Sequence, residues 1–191
     1  MTVNPAQPTA SGLVFTGRRP LAWRETPALP DAIELHELER ANLINLHTLF
    51  ALDIHAGDSG DDPVALANAT ELKRLDFKVG LLLELVGQLY ARQQDIPPER
   101  TLTLAVSGLS WQDETAPPVG GLVRIELYCN LSYPRPLICH ARTVETTQNP
   151  GGWRIRSCFQ DPSEPLQEAL ERYIFLQHRR AVAHSRRGSA R

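Results

Sequence analysis

LVRIELYC, residues 122–129, alternates without a break: Leu122, Arg124, Glu126 and Tyr128 fall on one face, Val123, Ile125, Leu127 and Cys129 on the other. Successive side chains of an extended chain point to opposite sides, so this pattern predicts a strand with one face in a core. Upstream, Thr101 to Val106 repeats it with Leu102, Leu104 and Val106. Ser107-Gly108 reads as a bend, and Leu109 to Trp111 resumes extended structure. Pro117, Pro118, Gly120 and Gly121 mark a turn. Downstream, Pro136 to Glu145 and Trp153 to Phe159 are predicted strands on either side of a turn at Asn149 to Gly152. Leu13 to Glu25 is a broken extended stretch. Short antiparallel strands with tight turns build a small barrel or a sandwich.

N-terminal to Pro97 and Pro98, where proline forbids helix, the period changes. Pro27 and Pro30 delay any helix to Asp31, which with Glu34 three residues on forms a box-like cap. A helix is predicted from Ala32 to about His55, apolar on more than one face. Gly57 to Asp62 is a turn, and Asp62-Pro63 opens a second helix running to about Gln94. Its Leu72, Leu75, Val79, Leu82, Val86 and Leu89 are spaced 3, 4, 3, 4, 3, a heptad seam. Leu81, Leu83 and Leu85 widen the apolar arc to roughly 200° at about 100° per residue. One neighbour cannot cover such a helix. The two helices are expected to form a hairpin over residues 31–98 whose seam holds several copies together. Asp161-Pro162 opens a third helix, with Leu166, Leu170, Ile174 and Gln177 at helical spacing, ending in an arginine-rich tail.

The whole chain is 191 residues, 42% apolar and 22% charged. A net charge of −2 speaks against nucleic acid as the main partner. No apolar run is long enough to span a bilayer, and Asn4, Gln7 and Thr9 give no signal-peptide character, so a cytoplasmic protein without membrane insertion is expected. Cys129, Cys139 and Cys158, odd in number and without CxxC spacing, read as small buried hydrophobes in a reducing compartment. Enzyme signatures are missing: there is no GxSxG, no GxxxxGK[ST] and no HExxH. His36 and His47 lie about 16 Å apart along one helix, too far to share a metal. Cys139 and His140 point to opposite faces of a strand, and Asp53, Asp58, Asp61 and Asp62 lack calcium-loop spacing. No metal and no cofactor are expected. The last twenty residues carry Arg172, Arg179, Arg180, Arg186, Arg187 and Arg191 and no acid. Such a tail suits docking of an acidic partner or a phosphate, or simply a solvated helix end.

The strands ERTLTLAVSGLSW, LVRIELYC and PRPLICHARTVE, closed by the helix ERYIFLQHRR, resemble a PilZ domain. The helical pair with LLLELVGQLYARQQDIPPER is similar to the atypical, tetramer-forming branch of that family. The resemblance spans about residues 13–187. It implies an α+β fold with a six-stranded antiparallel β-barrel and a C-terminal helix (13–30 and 99–187) carrying the helical oligomerisation module. Flanking segments 1–12 and 188–191 are expected to be disordered. It also implies a bacterial setting, cyclic di-GMP signalling, a tetramer and a signalling protein as partner.

The family's standard ligand site combines an RxxxR arm before the barrel with [D/N]xSxxG on an early strand. Guanidinium groups grip phosphate with paired hydrogen bonds and stack on guanine. Here Gly108 aligns with the motif glycine, but Thr103 and Ala105 stand at the other two positions. Arg18 and Arg19 are followed four later by Ala22 and Trp23, so the arm is missing. The RxxxR spelling at Arg187–Arg191 is on the wrong side of the barrel. The expectation is therefore a non-enzymatic oligomeric adaptor that does not bind cyclic di-GMP by itself. The alternative is a receptor with a rewired site, for which Arg18, Arg19, Arg24 and Gly108 are the candidates.

Overall fold

The structure is a computed structural model that describes residues 12–54, 63–92 and 95–188. Of the ends expected to be disordered, 1–12 and 188–191, residues 1–11 and 189–191 lie outside the described residues, as does the predicted turn before Pro63, whereas Gly188 is the last residue of the C-terminal helix. The described residues form six strands, β1 (Phe15–Glu25), β2 (Glu99–Ala105), β3 (Gly108–Asp113), β4 (Leu122–Tyr128), β5 (Pro136–Asn149) and β6 (Gly152–Phe159), and three helices. The helices are α1 (Ala32–Ile54) and α2 (Pro63–Arg92), between β1 and β2, and α3 (Glu164–Gly188) at the end.

The strands close into an all-antiparallel barrel in the order β1-β2-β3-β6-β5-β4. Of the two architectures open to the alternation pattern, the barrel is the one formed. β1 makes closure possible by changing partner midway. It pairs with β2 from Phe15 to Pro20, then with β4 from Leu21 to Glu25. Pro20 has no N–H to continue the first ladder, and the next amide, Leu21 N–H, donates to Pro98 O at 3.3 Å. Inward positions are the alternating ones: Leu102, Leu104, Leu109, Trp111, Val123, Ile125, Leu127 and Ile155 are all buried. β5 runs past its predicted end at Glu145 to Asn149, with a register shift between Thr143 and Glu145.

α1 begins where the sequence places it. Asp31 Oδ1 accepts from the amides of Ile33 (3.0 Å) and Glu34 (2.8 Å), satisfying donors that a helix start leaves open. α3 starts differently from expectation. Asp161 takes a left-handed φ of 43°, and Ser163 becomes the cap, its Oγ accepting from Leu166 N–H at 3.4 Å.

The expected hairpin between the first two helices is not confirmed: among the described residues α1 packs on α3 and β5, and Leu46, Leu49 and Phe50 join Leu166, Leu170 and Ile174 in the core. Two asparagines explain why. β5 is paired with β6 only from Ala141 onward, which leaves the earlier part of that edge open. Asn42 fills it: its Nδ2 donates to Ile138 O (2.8 Å) and its Oδ1 accepts from Ile138 N–H (2.9 Å). Asn45 Nδ2 donates to Arg135 O at 2.9 Å. Buried backbone groups must find partners, and a helix with amides at i and i+3 on an otherwise apolar face supplies them.

Candidate functional site

Gly108 opens β3 at the mouth of a groove of about 830 Å³, bounded by Gly12 to Val14, by Thr103 and Ala105 of β2, and by Arg156. This is where the aligned motif positions meet in space. The polar groups there already have partners within the chain. Thr103 Oγ1 is engaged with Thr16 Oγ1 at 3.2 Å, and Ala105 offers a methyl group. The guanidinium on the groove wall, Arg156, is held by Glu145 through Nη2 at 2.7 Å and Nε at 3.0 Å. Asp161 and Glu171 add negative charge to the lining. The requirement for glycine at 108 is met by packing: a Cβ there would come within 2.1 Å of Ser157 O.

The three candidate arginines lie elsewhere. Arg18 is exposed and 3.5 Å from Glu99. Arg24 is exposed and opposite Arg124 in the β1–β4 register, and Arg124 is itself tied to Glu126. Arg19 falls on the opposite face of β1 from both. Its guanidinium stacks over the Phe15 ring at 4.7 Å, Nη1 donates to Arg18 O (2.8 Å) and Nη2 to Gln177 Oε1 of α3 (3.2 Å). It lines a separate cavity between the barrel, α1 and α3. None of the three lines the groove at Gly108, so the structure does not gather the four candidates into one site.

α2 carries the predicted seam, and the seam is uncovered. Leu72, Leu75, Val79, Leu82, Val86 and Leu89 are each between 49% and 65% exposed. Phe77, Leu81, Leu83, Leu85 and Tyr90 are exposed beside them. Gly87 is buried: a Cβ on it would clash with Ser132 O. Glycine thus lets the helix backbone touch the β4–β5 loop, a contact that the heptad count passes over.

Residues 46–187 match the family model described as atypical PilZ domain, cyclic di-GMP receptor. The chain belongs to the atypical PilZ domain family. Its fold is similar to that of a protein from Xanthomonas campestris, described as a new tetrameric PilZ domain self-assembled via an unusual helical bundle. That match has a TM-score of 0.70 and 24% identity over 91% of this chain and 92% of that one. Partial likenesses extend to the Bacillus subtilis inhibitor of motility MotI/DgrA (TM-score 0.36, 13% identity, 44% of each chain). The PilZ domain of YcgR from Escherichia coli with cyclic di-GMP gives TM-score 0.35 and 20% identity over 46% of this chain and 76% of that one. No curated protein matches the sequence.

In this PilZ domain the adjacent Cys139 and His140 divide as expected, with one refinement. Cys139 sits opposite the core residue Ile125. His140 points outward, yet the cavity formed with Leu35 and Leu38 of α1 encloses it, and it is buried. Burial, then the Arg124 charge, lowers its pKa. Burial pushes the Cys129 and Cys139 thiols up to about 12, far from the range of a reactive thiolate. Among the described residues no group of His, Cys, Asp and Glu could hold a metal, and no helix is long and apolar enough to cross a membrane. α3 extends through Arg186 and Arg187 to Gly188. Arg172 covers the Phe50 ring at 4.5 Å, so the first of the C-terminal arginines fastens α3 to α1.

Proposed function

We propose that this atypical PilZ domain is a non-enzymatic, cytoplasmic, oligomeric adaptor in cyclic di-GMP signalling that does not itself bind the nucleotide. One observation carries the reading. The groove beside Gly108 is lined by Thr103, Ala105 and an Arg156 already neutralised by Glu145, while eleven large apolar side chains from Leu72 to Tyr90 stand exposed on α2. A ligand site would need free cationic donors there. Apolar surface on this scale is what association covers. Exposed leucines at 81, 83 and 85 flank the seam, which favours a bundle of more than two helices. The helical-bundle tetramer of the Xanthomonas protein supports the same arrangement for this chain.

Titration calorimetry with cyclic di-GMP tests it. No saturable heat is expected at micromolar concentration. A dissociation constant below about 10 μM, roughly −6.8 kcal/mol, overturns the adaptor reading in favour of the receptor with a rewired site, which the family's description as a cyclic di-GMP receptor favours.

A further inference from the structure

Arg19 has an unfilled edge. A guanidinium offers five N–H donors in a planar fork, and the side edge formed by Nε and one Nη matches the two oxygens of a carboxylate or phosphate. In Arg19 the Nε–H is buried and has no hydrogen-bond partner. Nη2, on the same edge, donates to the neutral Gln177 Oε1 at 3.2 Å, and the guanidinium also has the neutral Tyr173 hydroxyl as a hydrogen-bonding neighbour. The plane is held in place by Phe15 behind it and by Arg18 O on the far edge. No described carboxylate pairs with it. The nearby Glu99 is engaged with Arg18 at 3.5 Å. A cation with buried donors normally has an anionic partner.

The edge belongs to a cavity. Its polar wall includes Arg19, Arg180, Gln177, Tyr128, Tyr173 and the Glu99 carboxylate, and its apolar one Phe50 and Leu176, around about 340 Å³. That is the lower end of the range for ligand sites: room for one head group on a compact apolar body, not for a two-base dinucleotide. The last turns of α1 also border it. Helix C-terminal carbonyls disfavour an anion, and the Glu99 carboxylate in the wall is offset by Arg18, so the attraction must come from Arg19.

We propose that this cavity binds a small anion with a carboxylate or phosphate head, seated on the Nε/Nη2 edge of Arg19 with Gln177 turning its amide to donate. The site is distinct from the groove at Gly108 and does not depend on the assembly or on the adaptor reading.

The test is an NMR titration of the full chain with phenyl phosphate and with benzoate, following arginine Nε–H signals. The Arg19 signal should shift saturably with at least one probe at a dissociation constant of about 1 mM or tighter. Arg100 provides the internal reference, because its Nε already donates to Leu21 O at 3.0 Å and should stay still. Which probe binds identifies the head group. Arg19→Gln should weaken binding by roughly tenfold or more, and Gln177→Leu by less. An Arg19 signal unmoved by either probe at about 10 mM, or moving no more than that of Arg100, overturns the proposal even if Arg19→Gln fails to fold. Cyclic di-GMP added to the same sample separates the two claims. Its binding overturns the adaptor reading, and its failure to bind leaves the small-anion site standing on the two probes alone.

Discussion

Leu82→Asp tests the assembly where the seam is most central. Leu82 is 60% exposed in the single chain. Full burial of a leucine gives about 1.5–3 kcal/mol, so about 1–2 kcal/mol remains to be gained when the seam closes. The six seam residues together offer about 5–10 kcal/mol per copy on the same scale, close to the roughly 8 kcal/mol that holds a micromolar complex. Aspartate forfeits the leucine's share and brings a carboxylate that must be desolvated or protonated, at several kcal/mol more. Lys78, one turn away, can return only about 0.3–0.5 kcal/mol as an i,i+4 partner. In a symmetric bundle every copy carries the penalty. Light scattering at micromolar concentration should therefore find a tetramer for the wild type and a monomer or dimer for the variant. The barrel's core lies in β1 to β6, α1 and α3, so its β-type circular dichroism should persist. The helical signal should drop in part, because an unpartnered helix is held mainly by propensity. A monomeric wild type, or an oligomer unchanged by Leu82→Asp, refutes the reasoning.

Asn42→Ala should strip both partners from Ile138 and lower stability by about 2–4 kcal/mol, read as a shift of the urea midpoint at unchanged oligomer size. Stability should also fall at alkaline pH. The Cys129 and Cys139 pKa values are raised in the fold from the ordinary 9.0 to about 12, so the unfolded chain loses those protons first. The stabilisation is complete below pH 9 and is lost as pH rises towards 12, with about 1 kcal/mol per thiol gone by pH 10. Replacing both with alanine should flatten that slope in urea titrations between pH 8 and 10. Deleting Arg186 to Arg191 should leave folding and oligomer size intact and abolish capture of an acidic signalling partner, and salt should weaken that capture in the full chain. Capture that survives both reduces the tail to a solvated end.

Most of the strands were legible because a strand with one wet face and one buried one has period two, while the choice of barrel over sandwich rested on the family resemblance. LVRIELYC needed no tertiary information to be placed, and neither did the cap at Asp31 or the boundary at Pro97. α1 was legible as a helix and not as a neighbour. Leu46, Leu49 and Phe50 face the core while Ile33 and Ile44 face outward, and hydropathy weighs both faces alike. What assigns α1 to the barrel is polar. Asn42 and Asn45 complete a strand edge ninety residues away in sequence, and nothing in a helical pattern announces an unpaired Ile138. The same limit applies to the arginines. RRP at 18–20 states that two guanidinium groups are near the barrel's opening strand. Only the fold separates them, placing Arg18 beside Glu99 and Arg19 against Phe15 and Gln177. Alternation along β1 turns adjacent residues to opposite faces, so one becomes a surface ion pair and the other the wall of a cavity. The motif positions at Thr103 and Ala105 could be read as chemically empty from the sequence. That the cationic wall of their groove, Arg156, is already spent on Glu145 could not, because the pair is made across the β5–β6 ladder at a register set by the shift between Thr143 and Glu145.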